Sequence, residues 1–273
     1  MPRAIPLTGT ATWWPSTLYQ TTTLELRRAG ERLLVDPGIS PWEIEEVVAA
    51  STMPVTQVLV THSDWDHVMA LGLLPDAQVT ASRGAAERIR SGVARSEIER
   101  ETAEFLIAHR SIERLHVEQV VDPPAEVRMG PWLGVCRHAP GHTDDGLIVS
   151  LPDEHLLVVG DYLSALEIPG VYDSVTAYQS TLQTLVGVIE RERPLYVVVG
   201  HGKPHSSDDA LRIAEEDLAY LEAVLAYAEA GCRPEDAEQI AVPERSAGTA
   251  DRTMHAANVA KACEAAGAVV AQG

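Results

Sequence analysis

Short apolar runs, each closed by a turn, alternate along the chain with longer stretches in which apolar positions recur every three or four residues. Residues 21–26 and 32–35 predict strands, followed by a turn at Asp36-Pro37-Gly38. Residues 41–50 predict a helix with Ile44, Val47 and Val48 on one side. Residues 57–61 predict a buried strand and 78–81 another short one. The proline-free, charged stretch 83–116 predicts helix, with Ile89, Val93, Ile98, Phe105 and Ile107 as its apolar points. Strands are predicted again at 131–137, 147–151, 155–159 and 195–199. Tyr178, Leu182, Leu185 and Ile189 give helical spacing to 174–191. Leu211, Ala214, Leu218, Leu221 and Leu225 define a clean amphipathic helix, and 251–266 predicts one more.

Strands then helix, repeated, suit two sheets packed face to face with helices outside, a layered α/β architecture. The 273 residues, 45% of them hydrophobic, are enough for a substantial core, and no composition break forces a domain boundary. No apolar stretch is long enough to span a bilayer, and the first ten residues carry no apolar signal segment. Cys136, Cys232 and Cys263 are scattered without a CxxC pair, so no disulfide framework is expected and a cytoplasmic location is.

The formal charge of −19 argues against gripping a nucleic-acid backbone, whose affinity comes from Lys and Arg. The charge is uneven. Between 208 and 240 ten acids face Arg212 and Arg233, a region that reads as a wet surface or as a homo-dimer interface.

His62-Ser63-Asp64-Trp65-Asp66-His67 follows the apolar run Val58-Leu59-Val60. Two imidazoles and two further carboxylates in six positions are costly to bury without a cation. Three more segments carry one ligand type each at the end of a predicted strand: Gly141-His142-Thr143, Gly160-Asp161-Tyr162 and Gly200-His201-Gly202. A glycine beside each ligand lets the backbone turn sharply.

In order and spacing, His62-x-Asp64-x-Asp66-His67, His142, Asp161 and His201 resemble the metallo-β-lactamase fold superfamily, and Asp36 resembles its early structural aspartate. The resemblance implies a single domain over 1–273: a four-layer αββα sandwich with a helical insertion at 83–116 and a C-terminal helical extension at 208–273. It implies two divalent metal ions, zinc first, with iron or manganese open. His62, Asp64 and His142 would hold one; Asp66, His67 and His201 the other; Asp161 would bridge both. A hydroxide between the metals would be the nucleophile, Asp66 would also manage a proton, and Asp36 would orient a ligand histidine.

Most members carry His where this chain has Asp64. With Asp64, Asp66, Asp161 and a hydroxide, four negative charges cancel two divalent cations, which lowers Lewis acidity and favours harder metals. The reading is a metal-dependent hydrolase acting on a small ester, thioester, lactone or related acyl substrate. One alternative is a non-haem iron oxidoreductase of the persulfide dioxygenase type, with His62, His142 and Asp161 as a facial triad. The other is a non-catalytic metal-binding protein. Trp13, Trp14 and Trp65 either line an apolar pocket or pack against a sheet. Lys203 and His205 read as an exit loop, and His109, His116, His138, His155 and His255 as surface or structural residues. The 83–114 segment reads equally as a cap over the site or as scaffold.

Overall fold

The computed structural model describes residues 4–38, 40–105, 112–232, 240–245 and 249–267. Ile107 and His109 lie outside them.

The first sheet has seven strands in chain order: β1 (Ile5–Pro6), β2 (Ala11–Pro15), β3 (Thr22–Arg28), β4 (Glu31–Val35), β5 (Val55–Leu59), β6 (Gln78–Ser82) and β7 (Gln119–Val121). It runs antiparallel from β1 to β4 and parallel from β4 to β7. The second sheet contains β8 (Ala125–Met129), β9 (Trp132–His138), β10 (Leu147–Leu151), β11 (Leu156–Val158) and β12 (Tyr196–Val198) in the order β12-β11-β10-β9-β8. Only β11 and β12 pair in parallel there.

Between the sheets lies a core that draws on both, with Leu24, Leu26, Leu33 and Leu59 meeting Trp132, Leu147, Val149 and Val158. On the outer face of the first sheet pack α1 (Pro41–Ala49), α2 (Trp65–Val68), α3 (Arg83–Ser91) and α4 (Val93–Glu104). On the outer face of the second pack α5 (Val175–Glu192), α6 (Ser207–Glu229) and α7 (Thr249–Ala265). The result is the αββα sandwich: each sheet hides its inner face on the other and its outer face under helices.

The stretch 83–116 is not one helix. Gly92 at φ 87° caps α3 in the left-handed region and separates it from α4. The strands β1, β2, β7 and β8 add to those the apolar pattern predicts. The cysteine reading also needs correction, because Cys232 and Cys263 form a disulfide across 31 residues. The end of α6 and the end of α7 meet in space, a proximity that the spacing of cysteines along the chain does not encode. Cys136 is a free thiol buried between the sheets. Among the described residues no helix is long and apolar enough to cross a membrane.

Candidate metal centre

One edge of the sandwich collects the chain ends of β4, β5, β9, β11 and β12, which lead to Asp36, His62, His142, Asp161 and His201 respectively. Backbone bonds stitch the two sheets together there. Leu147 N donates to Thr61 O and Thr22 N to Gly200 O, both at 2.7 Å, while within the second sheet Gly200 N donates to Gly160 O at 2.7 Å. The chain ends of β5, β11 and β12 are therefore tied by backbone hydrogen bonds at rigid strands, which fixes side-chain positions better than a free loop could.

Asp64 occupies the N-cap position of α2, yet its side chain makes no capping hydrogen bond. Its Oδ2 turns instead toward His142 Nε2 at 3.4 Å and His62 Nε2 at 3.8 Å. Asp161 is the hub. Its oxygens stand 3.1 Å from His67 Nε2, 3.1 Å from His201 Nε2, 3.3 Å from His142 Nε2 and 3.7 Å from His62 Nε2. Asp66 Oδ2 lies 3.4 Å from His201 Nε2 and 3.8 Å from His67 Nε2, and accepts a hydrogen bond from Thr21 Oγ1 at 3.0 Å. All seven side chains predicted as ligands thus converge on one spot.

The opposite nitrogen of three of the four imidazoles is engaged elsewhere. His142 Nδ1 meets Gly170 O at 2.7 Å, His201 Nδ1 meets Tyr19 O at 3.1 Å, and His62 Nδ1 meets Thr61 Oγ1 at 3.0 Å. A carbonyl can only accept, so Nδ1 of His142 and of His201 carries the proton and leaves Nε2 as a lone-pair donor in the neutral ring. Asp36 works mainly through Thr61: its oxygens accept from Thr61 N and Thr61 Oγ1, both at 2.7 Å. It also approaches His67 Nδ1 at 3.3 Å, a contact too poorly aligned to count as a hydrogen bond.

Buried polar atoms are normally paired. Here His62 Nε2, His67 Nε2, His142 Nε2 and Asp161 Oδ1 are buried with no hydrogen-bond partner, all pointing at the same centre. Three ligand trios, His62–Asp64–His142, His62–His67–Asp161 and Asp66–His67–His201, have donor atoms within 4.8 Å of one another. A cation could satisfy these atoms.

The electrostatics agree. Burial pushes the Asp64 carboxyl up, but the close approach of His142 and then of His62 outweighs that and holds it at about 2. Burial pulls His201 down, and Asp161 and Asp66 overcome it to raise the ring to about 9. Burial likewise opposes charge on Asp161, which the four surrounding imidazoles hold well below the usual carboxylate range. The site is built for positive charge.

Several contributors carry no signal in the motif pattern. Asp145, buried, accepts from Ser63 N at 3.0 Å and Ser63 Oγ at 2.6 Å, pinning the first ligand loop. It is the second aspartate of the His142-Thr143-Asp144-Asp145 run, which is the one mark it leaves in the sequence. Tyr162 and Tyr178 are structural: the Tyr162 hydroxyl accepts from His142 N at 3.1 Å, and Tyr178 OH donates to Asp161 O at 3.0 Å. Trp13 and Trp14 pack in the first sheet, donating to Thr22 Oγ1 and Glu25 Oε2. Trp65 alone stands at the mouth, stacked 6.1 Å from Phe105 with Tyr19 edge-on at 6.3 Å. His205 is buried and pairs through its backbone with Val197, as an exit loop requires.

The family model of the metallo-beta-lactamase superfamily matches residues 16–207, which include all seven of these side chains. The chain belongs to that superfamily. Metallo-beta-lactamase superfamily members bind divalent metals, and the His and Asp trios here could hold such ions. Among solved structures, the B3 metallo-beta-lactamase BLEG-1 is 17% identical, with a TM-score of 0.59 over 74% of this chain and 96% of that one. A metallo-beta-lactamase family protein of Thermus thermophilus is 21% identical, with a TM-score of 0.63 over 92% and 93%. The sec-alkylsulfatase Pisa1 from Pseudomonas sp. reaches a TM-score of 0.71 at 11% identity over 97% of this chain, which spans 50% of that enzyme. Likenesses at these identities establish the fold. No curated protein matches the chain.

Proposed function

We propose that the protein is a metal-dependent hydrolase of neutral acyl substrates: an ester, thioester or lactone. The observation that carries this reading is the group of three imidazole Nε2 atoms, of His62, His67 and His142, and one Asp161 oxygen turned to one point without partners of their own. We assign His62, Asp64 and His142 to one divalent ion and Asp66, His67 and His201 to a second, with Asp161 between them and zinc as the first choice. Bound there, the ions would supply a water of lowered pKa and polarise the scissile carbonyl.

The chain's own residues do the rest. The carbonyls of Tyr19 and Gly170 hold the His201 and His142 rings in the ligating tautomer. Thr21 fixes Asp66 Oδ2, and Oδ1 is the atom we assign to proton uptake. Tyr19, Trp65 and Phe105 offer aromatic surface for an apolar acyl or alcohol portion.

Charge supports a neutral substrate over a sulfate or phosphate ester. Burial, then Asp66, Glu101, Glu104 and Glu167, raise the Tyr19 hydroxyl, so the mouth is ringed by carboxylates. The nearby guanidinium of Arg88 is already bonded to Glu97 and Ser63.

The test is metal analysis of protein purified without added metal, followed by a panel of acyl, sulfate and phosphate esters. Two zinc ions per chain with turnover confined to acyl esters is expected. Turnover of alkyl sulfates only, or one iron per chain with oxygen uptake, overturns the reading. Full metal occupancy with no turnover would favour a binding role.

A further inference from the structure

The residues matched by the superfamily model end at 207, yet the helix at the far end of the chain reaches the metal centre. The contact runs through the loop Pro169-Gly170-Val171-Tyr172. Gly170 O takes the Nδ1 proton of His142 at 2.7 Å, and the Tyr172 ring sits edge-on to His142 at 5.1 Å. Tyr172 N also donates to His142 O at 2.9 Å.

Asn258 of α7 grips this loop from behind. Its Nδ2 donates to Pro169 O at 2.6 Å and its Oδ1 accepts from Val171 N at 3.2 Å, so the two peptides flanking Gly170 are both tied to one amide. The same Nδ2 reaches Tyr220 OH on α6 at 3.1 Å. Lys261 Nζ adds a bond to Tyr172 O at 2.8 Å. The Cys232–Cys263 disulfide then pins α7 beside the end of α6.

Asn258 has no exposure to solvent, and its place on α7 faces a cluster of Tyr220, Ile168, Val171 and Ala262. An aliphatic residue would pack such a helix–loop contact without the cost of burying an amide. What the amide adds is direction: it fixes the carbonyl that sets the orientation of a ligand imidazole.

We propose that Asn258 is a positioning residue for His142, so that metal affinity depends on a helix outside the superfamily's matched segment. The inference rests on the metal reading above. It predicts an effect on binding strength and ligand geometry, since partners behind a ligating histidine change metal affinity by about 10–100-fold.

Cobalt(II) serves as probe on the full-length chain, titrated against a competing chelator and read by its visible absorption, which reports ligand geometry. Asn258→Leu is expected to weaken cobalt binding about tenfold and shift the absorption bands, while the metal-free protein keeps its fold by circular dichroism. Asn258→Asp keeps the Val171 contact, loses donation to Pro169, and is expected to fall between. Folded Asn258→Leu with wild-type affinity and spectrum overturns the proposal. Should Asn258→Leu fail to fold, Asn258→Asp decides, and unchanged affinity and bands in it overturn the proposal equally. If the wild-type chain binds no cobalt at all, the metal reading itself falls and this inference goes with it.

Discussion

Arg88 Nη2 stands 3.8 Å from Asp64 Oδ1, on the side of the carboxylate opposite His62 and His142. The same guanidinium donates through Nε to Ser63 Oγ at 2.8 Å and through Nη2 to Glu97 at 2.8 and 2.9 Å. Asp64 is thereby divided, with Oδ2 for the centre and Oδ1 for Arg88. Counting ligand charges alone, Asp64 cancels the last positive charge of a two-cation site; Arg88 returns part of it, damped because both side chains are partly exposed.

Asp64→His is expected to tighten zinc binding and to lower the pH of half-maximal hydrolysis. The zinc gain should be larger when Arg88 is also changed to Met, because histidine leaves the guanidinium facing a cationic centre. A coupling of about 1 kcal/mol, roughly fivefold in Kd, is the expected scale for charges at this separation. Competition titrations on the four chains of the cycle measure it. Equal gains in both backgrounds would show that Arg88 does not act on Asp64.

Gly200 leaves no room for a side chain. A Cβ there would sit 1.9 Å from Asp161 Oδ1 and 3.0 Å from His67 Cε1. Gly200→Ala must push Asp161 off its position among the four imidazoles, and about a tenfold or greater loss of metal affinity is expected, as for other disturbed ligand supports. Gly187, inside α5, is the control: nothing lies within 4 Å of its added Cβ. Gly187→Ala should stabilise the chain by about 1 kcal/mol. In a chain of this size that raises Tm by about 2 °C. Thermal scans and metal titrations of the two variants separate the cases; normal metal binding by Gly200→Ala contradicts the packing described.

The converging His and Asp side chains are legible in the sequence because each follows an apolar strand with a polar side chain that has no business in a core. Their supports are not. His142 and His201 are oriented by the carbonyls of Gly170 and Tyr19, and a backbone carbonyl has no letter of its own. Asp36 is recognisable, but its main target, Thr61, is an unremarkable strand-end residue. Arg88 lies 25 residues from Ser63 and looks like one charge among many on a solvated helix. The strands β2 and β8 escape the pattern because proline ends the one and polar residues alternate through the other. The break at Gly92 is hidden inside a charged, proline-free run whose periodicity fades beyond it, in α4.

Glu43 carries a pH dependence whose sign can be stated. It is fully buried and accepts from Ser40 N and Oγ, Ser16 Oγ, and Thr17 N and Oγ1 at 2.8–3.1 Å. Burial raises its carboxyl, but the Thr17 backbone and the Ser40, Ser16 and Thr17 hydroxyls outweigh that and lower it from 4.5. A lowered folded pKa means stability that is present above about pH 4.5 and lost as acid protonates the folded carboxylate. Glu43→Gln should cost about 2 kcal/mol at neutral pH, the scale of hydrogen bonds to a charged acceptor. That gap should narrow steadily as the pH falls below the unfolded value, since wild type then loses the charge too. Urea unfolding at a series of pH values reads it. A gap that stays constant into acid would mean the carboxylate's charge contributes nothing. Because Glu43 anchors the turn leading to Tyr19, whose carbonyl orients His201, weaker metal binding should accompany the loss.

Phe105 decides whether the aromatic group at the mouth belongs to the substrate site or merely packs the helix beside it. Its ring stacks on Trp65 at 6.1 Å with Tyr19 perpendicular at 5.6 Å, and it remains 37% exposed, with Tyr19 52% exposed. Trp65 lies between the ligands Asp64 and Asp66, so an apolar group resting on these rings sits beside the reacting carbonyl. Removing an aromatic face from such a group forfeits about 1.5 kcal/mol of apolar burial, roughly tenfold in KM. Phe105→Ala should therefore raise KM for an octanoyl ester about that much and leave an acetyl ester of the same alcohol nearly unchanged. The kcat for both should hold, because Phe105 touches none of the ligands that set the metal geometry. A purely structural ring predicts a different outcome, a common loss for both esters together with a lower Tm. Equal KM shifts for the long and short chains would remove the aromatic face from substrate recognition.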